Sequence, residues 1–183
     1  MALKVTKADV WAVTLEDRAG GAADKLEGLA KGGANLEMVL ARRTETPGKG
    51  VMFVTPLKGA KAMKAAQEAG MGKPENIHSV RIEGGDKPGL GSKIARALGD
   101  AGVSFRGMSA AAIGKKFVSY IACDSADDQA RAIAALKKAK REVYKVMWEK
   151  DGERATLAAQ LEKRTASMLV SRGAFDEEIY RVQ

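Results

Sequence analysis

The loop Glu16-Asp17-Arg18-Ala19-Gly20-Gly21 occurs a second time as Gly85-Asp86-Lys87-Pro88-Gly89-Leu90. We call these the first loop and the second loop. Each follows a strand-like stretch, at residues 10–15 and 77–82, and each precedes a helix-like run, at residues 22–31 and 91–100. An offset of 69 residues aligns Asp17 with Asp86, Gly20 with Gly89, Leu29 with Leu98, Gly33 with Gly102 and Ala41 with Ala110. The sequence therefore predicts an internal duplication.

The first copy alternates strand and helix patterns. Its opening strand places Trp11, Val13 and Leu15 on one side, which is typical of a strand half buried against helices. After the first loop we predict a helix, two strands joined by a turn, and a second helix, at residues 22–31, 36–43, 51–57 and 60–69. Residues 71–75 should supply a fourth strand, but their strand pattern is weak. The residues before 9 are interpreted as a polar lead.

The second copy repeats this order with clearer signals. Its strand, helix, two strands, helix and final strand are predicted at residues 77–83, 90–101, 103–113, 117–123, 125–140 and 143–148. Its second helix has a start signal, because Ser125 can cap it while Asp127 and Asp128 suit the helix dipole. Each copy therefore has the β-α-β-β-α-β order of a ferredoxin-like fold. The predicted class is α+β, with antiparallel sheets in two domains, residues 1–75 and 76–148.

Residues 149–183 lie outside the repeat and are predicted to form a C-terminal helical arm. Residues 153–171 have a helical pattern with a sparse apolar stripe, and a short tail follows. The arm either packs on its own domains or docks on another subunit, since so thin a stripe buries little within a helix pair. Docking would use the apolar and aromatic side chains Leu157, Leu161, Met168, Leu169, Phe175 and Tyr180.

Composition places the chain among soluble globular proteins. Of its 183 residues, 45% are hydrophobic and 30% are charged, which excludes a disordered chain. No window approaches the roughly 18 uninterrupted apolar residues of a membrane helix, and the first residues lack the apolar core of a signal peptide. The single cysteine, Cys123, cannot form an internal disulfide or supply a zinc site. We therefore expect a cytoplasmic protein without a membrane partner.

The net charge of +8 needs an explanation. A basic surface attracts nucleic acid, acidic proteins or anionic ligands. The lysines, however, lie at helical spacing, as Lys58, Lys61 and Lys64 do, and such a run is usually a solvated helix face. The charge alone identifies no partner.

The second loop, between its strand and its helix, resembles the corresponding part of an ACT domain. The family's pattern is an acidic or amide residue, a basic or variable residue, Pro, Gly and an apolar residue that opens the helix. Residues 86–90 match this pattern throughout. The first loop matches at Asp17, Arg18 and Gly20, and it departs at Ala19 and Gly21. With residues 9–148 covered by the resemblance, the chain is similar to a tandem ACT-domain protein.

The resemblance also extends to the start of the strand after each first helix. The family has an asparagine there, which Asn35 matches in the first copy, whereas Ser104 takes that place in the second. The resemblance implies a regulatory module that binds an amino acid, typically at an interface between two ACT domains. The predicted ligand-binding residues are Asp17, Arg18, Gly20, Gly21, Asn35, Asp86, Lys87, Pro88, Gly89, Leu90 and Ser104.

Physical chemistry supports such a site in these loops. Glycine lets the backbone approach a ligand closely, and a helix N-terminus offers unpaired N–H groups to a carboxylate. Asp17 or Asp86 can accept a hydrogen bond from an α-ammonium group, and Asn35 or Ser104 can hold the other end of the ligand. The alternative for each loop is an ordinary turn without a ligand.

The chain lacks the residue patterns of an enzyme. His78 is its only histidine, no nucleophile is apparent to pair with it, and we interpret it as structural. Cys123 ends a strand on the side of the core, where an inert buried cysteine is the common case. The sequence contains no phosphate-binding glycine motif and no metal-ligand spacing. We expect neither catalysis nor a cofactor.

The RNA-recognition motif has the same strand order and offers a competing hypothesis. Residues 49–54 partly resemble its octamer, but Val51 replaces the key aromatic residue. Stacking of bases requires aromatic side chains on the open face of the sheet. Trp11 lies on the apolar side of its strand, which should be covered by helices, so the sequence disfavours a nucleic-acid partner.

A third hypothesis is an accessory or scaffold subunit that keeps ACT-like interfaces without a ligand. Small sheets with free edges commonly pair with another copy of the chain. Our prediction is a regulatory protein without catalysis of its own. It binds a small amino acid, forms a homodimer, and signals to a partner protein through the C-terminal arm.

Overall fold

The computed structural model describes residues 3–139. The predicted strand at 143–148 and the predicted arm at 149–183, with the partner contacts assigned to it, lie outside the described residues.

Within that part, the chain forms seven strands and four helices. The strands are β1 (Lys4–Ala8), β2 (Trp11–Glu16), β3 (Met38–Arg43), β4 (Lys49–Thr55), β5 (His78–Gly85), β6 (Phe105–Ile113) and β7 (Lys116–Cys123). The helices are α1 (Gly21–Lys31), α2 (Ala60–Glu68), α3 (Leu90–Asp100) and α4, which occupies residues 126–139 of the described chain.

The strands form two antiparallel sheets. The first sheet has the order β2-β4-β3, and the second sheet has the order β1-β5-β7-β6. The alternation in β2 buries Trp11, Val13 and Leu15 on one face, as predicted. The fold is therefore α+β, with two antiparallel sheets of the ferredoxin-like, ACT-like type.

Each sheet packs against its own helices through a separate apolar core. The first core joins β2 and β4 to α1 and α2 through Trp11, Val13, Leu15, Leu29, Met52, Val54, Leu57, Ala66 and Met71. The second core joins the second sheet to α3 and α4 through Val5, Val80, Ile82, Ile94, Leu98, Val103, Phe117, Ile121, Cys123, Ala132 and Leu136. Burial of these side chains is the main force that holds the helices on the sheets.

The interpretation of the first residues as a polar lead is wrong, because they form β1 at the edge of the second sheet. β1 pairs with β5, and Val5 lies opposite Ile82 in the second core. The stretch Lys4–Ala8 alternates polar and small residues around Val5, which suits an edge strand with one side in water. The chain therefore begins in the sheet of the second copy and then builds the first sheet. The predicted domain limits at residue 75 stay a prediction.

The weak fourth strand of the first copy is reduced to a single bridge. Gly72 exchanges two backbone hydrogen bonds with Ala12 of β2, with N···O distances of 2.8 and 3.0 Å. The pairing does not extend further, so the first sheet keeps three named strands.

The two loops have matching backbone geometry. At the helix start, Gly21 N–H donates to Arg18 O at 3.2 Å, and Leu90 N–H donates to Lys87 O at 3.1 Å, 69 residues later. At the helix end, the same offset relates a bond from Ala34 N–H to Leu29 O (3.0 Å) to a bond from Val103 N–H to Leu98 O (2.9 Å). The predicted duplication is thus visible in individual hydrogen bonds.

Side chains also connect the two halves of the described chain. Glu37, just before β3, pairs with Arg81 of β5, and Ser109 Oγ of β6 lies 3.8 Å from Met38 Sδ of β3.

Among residues 3–139, no helix has both the length and the apolar character that crossing a bilayer requires.

Candidate functional site

A cleft of about 200 Å³ opens beside the first loop. It is lined by Leu15, Glu16, Asp17, Arg18, Ala22, Ala41, Arg42, Arg43 and Gly50. These residues come from the end of β2, the first loop, the start of α1, the end of β3 and the start of β4. Gly50 lies between Leu15 and Arg43 in the sheet, so the absence of a side chain at Gly50 leaves the centre of the floor bare.

Two glycines bring the start of α1 against the end of β2. Gly20 is the N-cap residue and has a φ of 84°, in the left-handed region that favours glycine. Gly21 lies so close to the strand that an added Cβ would be 2.7 Å from the backbone oxygen of Glu16. No side chain caps the helix, and Gly21 N–H already donates to Arg18 O, so the amides of Ala22 and Ala23 are the ones that keep capacity for an external acceptor.

Charged side chains surround the mouth of the cleft. Asp17 accepts from Arg43 Nε, at 2.9 Å to Oδ2 and 3.2 Å to Oδ1, and Arg18 pairs with Asp24. The Arg43 side chain is 82% exposed, and exposed ion pairs contribute only about 0–1 kcal/mol. The Asp17 carboxylate can therefore exchange Arg43 for a ligand group at small cost.

The second loop has the same backbone path as the first loop, but different side chains lie beside it. Asp86, Lys87, Pro88 and Gly89 are exposed, whereas Leu90 is half-buried and packs against the second core. Gly89 is again an N-cap residue with a left-handed φ of 77°, and no side chain caps α3.

The predicted site residues are distributed between these two places. Asp17 and Arg18 line the cleft, and Gly20 and Gly21 shape the helix start beside it. Asn35 and Ser104 are exposed and are not among the residues that line the cleft. The predicted residues of the second loop begin α3, on the other sheet. Whether any of these residues binds a ligand stays a prediction.

Sequence reasoning missed the strand residues that complete the cleft. Ala41, Arg42 and Arg43 end β3, and Gly50 lies opposite Arg43 in β4. The signal that could have identified them is the Arg42-Arg43 pair at the end of a predicted strand, followed by a hairpin to a glycine. This signal identifies the cleft only if the pairing register of β3 with β4 is known, and the sequence does not give that register.

Three other residues were considered for chemistry, and two of them lie in the apolar cores. Trp11 is 7% exposed and belongs to the first core, as predicted, so its ring is not offered to a base. Cys123 is fully buried, as predicted, and burial raises the pKa of its thiol, which disfavours the reactive thiolate. His78, the first residue of β5, is half-buried.

No protein-family model and no curated protein sequence matches the chain. Solved structures do match it. Protein BT0572 from Bacteroides thetaiotaomicron is 24% identical, with a TM-score of 0.62 over 74% of this chain and 90% of that one. The ligand-free regulatory subunit of aspartate kinase from Thermus thermophilus is 19% identical, with a TM-score of 0.52 over 76% of this chain and 97% of that one. Both matches cover at least 90% of the solved chain, and the two-sheet, ACT-like fold is shared.

Proposed function

We propose that this protein is a non-catalytic regulatory protein that binds a small amino acid in the cleft beside the first loop. The observation that carries the proposal is the cleft itself, in which charges of both signs adjoin an uncapped helix start. The shared fold adds support, since one of the similar structures is a regulatory subunit of aspartate kinase.

The charges of the cleft suit a zwitterion. A ligand carboxylate at the start of α1 would accept from the first-turn amides and gain from the helix dipole. A ligand ammonium group would take the place of Arg43 on Asp17, and Arg43 would become available to the carboxylate. Both ends of an amino acid would then have partners of opposite charge.

The size and floor of the cleft favour a small side chain. Pockets for drug-sized ligands usually have about 300–1,000 Å³, and this cleft has about 200 Å³. Its uncharged lining consists of Leu15, Ala22, Ala41 and Gly50, which offer no polar side-chain atom to a ligand. A short aliphatic side chain would bury apolar surface there without leaving a polar group unpaired.

The lining residues also argue against catalysis at this site. They include no histidine, cysteine, serine, threonine or lysine, so the cleft offers only the carboxylates of Glu16 and Asp17 as nucleophiles. Asp17 and Arg18 are held in ion pairs, and they serve binding better than proton transfer.

Signalling would require a second surface. We place partner contacts on the C-terminal arm and homodimer contacts on the free sheet edges. The edge strand β6 supports the latter, because residues 110–113 are uncharged and exposed, and Ile113 is 77% exposed. The same edge is the observation that favours the second candidate function, an accessory subunit that keeps its interfaces without a ligand.

A thermal-shift screen of the purified protein against each standard amino acid tests the proposal. A ligand present at about 100 times its Kd should stabilise the protein by about 2.7 kcal/mol. Asp17→Asn should remove this response, and Asp100→Asn, at the far end of α3, should retain it. If no amino acid stabilises the protein, the amino-acid sensor is excluded, and a tightly co-purifying protein would then favour the accessory subunit.

A further inference from the structure

The two copies differ at three equivalent positions next to the cleft, and at one of them the second copy has the glycine. Gly21 is the first residue of α1, and Leu90 is the first residue of α3. Leu15 and Gly84 are equivalent in β2 and β5, and their cross-strand partners are Gly50 and Phe117. Two glycines of the first copy are therefore replaced by two large apolar side chains in the second.

These large side chains pack on the second core from the positions that glycines hold in the first copy. Phe117 is 6% exposed and belongs to the second core, and Leu90 packs against the same core. Phe117 lies directly opposite Gly84, so its ring can cover a strand position without a side chain. In the first copy the corresponding strand glycine, Gly50, lines the open cleft.

We propose that ligand binding is confined to the first copy, because Phe117 and Leu90 fill the equivalent place in the second. This inference rests on the proposed function and adds its stoichiometry, one ligand per chain. The loop that matches the ACT pattern in full, residues 86–90, is then the closed one. Gly21, where the first loop departs from that pattern, and Gly50 of β4 leave the first copy open.

Calorimetric titration tests the stoichiometry. The amino acid with the largest thermal shift is titrated into the wild-type protein, and one molecule per chain is expected. Gly50→Phe gives the first copy the ring that the second copy has, and it should abolish binding. Val51→Phe is the matched control, because it adds the same ring to the same strand on the opposite face, and it should bind as the wild type does.

Gly50→Phe could fail to fold, because its added Cβ would lie 3.1 Å from the backbone oxygen of Arg42. A second variant therefore tests the same point. Ala41→Phe brings a ring into the cleft from β3 and should also abolish binding. Two molecules bound per wild-type chain would overturn the inference and leave the proposed function standing. Binding that survives a folded cleft variant would overturn it as well.

A measurement without the amino acid tests the packing of Phe117, on which the inference depends. Phe117→Ala should leave an apolar cavity beside Gly84, and such cavities bind benzene. Benzene should then raise the melting temperature of Phe117→Ala and not that of the wild type. Phe117→Leu gives the same comparison if the alanine variant does not fold. A variant that is no more responsive than the wild type would show that Phe117 fills no such place.

Discussion

Arg81 and Glu37 form an ion pair of 2.9 Å that joins the two halves of the chain. Arg81 Nη1 also donates to Glu83 Oε2 at 2.5 Å, and its Nε donates to Tyr120 Oη at 3.2 Å. Burial alone would lower the pKa of the guanidinium, but the bonds to Glu83 and Tyr120 and the charge of Glu37 raise it above its usual range. Arg81 is therefore a permanently charged connector between the halves.

Loss of this connector should destabilise the protein more than loss of a surface pair. The Arg81 side chain is 22% exposed, and Arg81→Met would leave the hydroxyl of buried Tyr120 and two exposed carboxylates without their donor, at a cost of about 1–3 kcal/mol. Arg106→Met is the matched control, because Arg106 pairs with Asp124 at 2.7 Å with both side chains exposed, and it should cost about 0–1 kcal/mol. Urea unfolding measures both. Equal losses would contradict the assigned role of Arg81.

Acidification should weaken the same cluster. The hydrogen bond from Arg81 lowers the pKa of Glu83 below its usual range. A carboxylate whose pKa is lower in the folded state stabilises the fold above its unfolded pKa, and the contribution disappears as the pH falls through the folded pKa. The urea concentration at the midpoint of unfolding should therefore decrease as the pH is lowered below about 4.5. Glu83→Gln should make this decrease smaller. An identical pH profile in the variant would refute the linkage.

Two glycines of α1 should respond to alanine in opposite directions. Gly21→Ala places a Cβ 2.7 Å from the Glu16 backbone oxygen, and the shift that relieves this overlap should cost about 1–3 kcal/mol. Gly28 lies in the same helix, and a Cβ added there would have no neighbouring atom within 4 Å. Gly28→Ala should therefore stabilise the protein by about 0.5–1 kcal/mol. Thermal unfolding of both variants distinguishes the sites, and a harmless Gly21→Ala would contradict the tight approach of α1 to β2.

Removal of the cap of α4 should have a moderate cost. Ser125 Oγ accepts from Asp128 N–H at 3.0 Å, which confirms the predicted start of this helix. Ser125→Ala should cost about 1 kcal/mol in urea unfolding. Ser92→Ala is the control, since Ser92 Oγ donates to Gly89 O at 2.9 Å and caps no amide. A loss in Ser125→Ala that does not exceed the loss in Ser92→Ala would indicate that α4 does not depend on its cap.

Most of the fold follows from local patterns in the sequence. The prediction of a helix at 60–69 agrees with α2 (Ala60–Glu68), because glycines on either side limit it. β1 was missed because its apolar content is a single buried residue, Val5, whose partner Ile82 is far along the chain. Strands of this kind are stabilised by backbone pairing with a distant neighbour, which no local pattern reports.

Only the loop residues of the candidate site could be predicted, because the other residues reach the cleft through pairing between strands. Asp17 and Gly20 belong to a local loop and could be found from the repeat. Arg43 and Gly50 reach the cleft through the pairing of β3 with β4, and that register depends on a hairpin loop longer than its counterpart in the second copy. The correspondence of Gly50 with Phe117 likewise depends on the pairing registers, in which Gly50 lies opposite Leu15 and Phe117 lies opposite Gly84.

Amide NMR spectra recorded during titration with an amino acid test the central claim most directly. If the ligand carboxylate binds at the start of α1, the largest shifts should fall on the amides of Asp17, Ala22 and Ala23, with smaller shifts along β3. Leu90, Gly91 and Ser92, at the equivalent start of α3, should stay unchanged. Shifts that cluster at α3, or spectra that no amino acid changes, would contradict a ligand site in the cleft of the first copy.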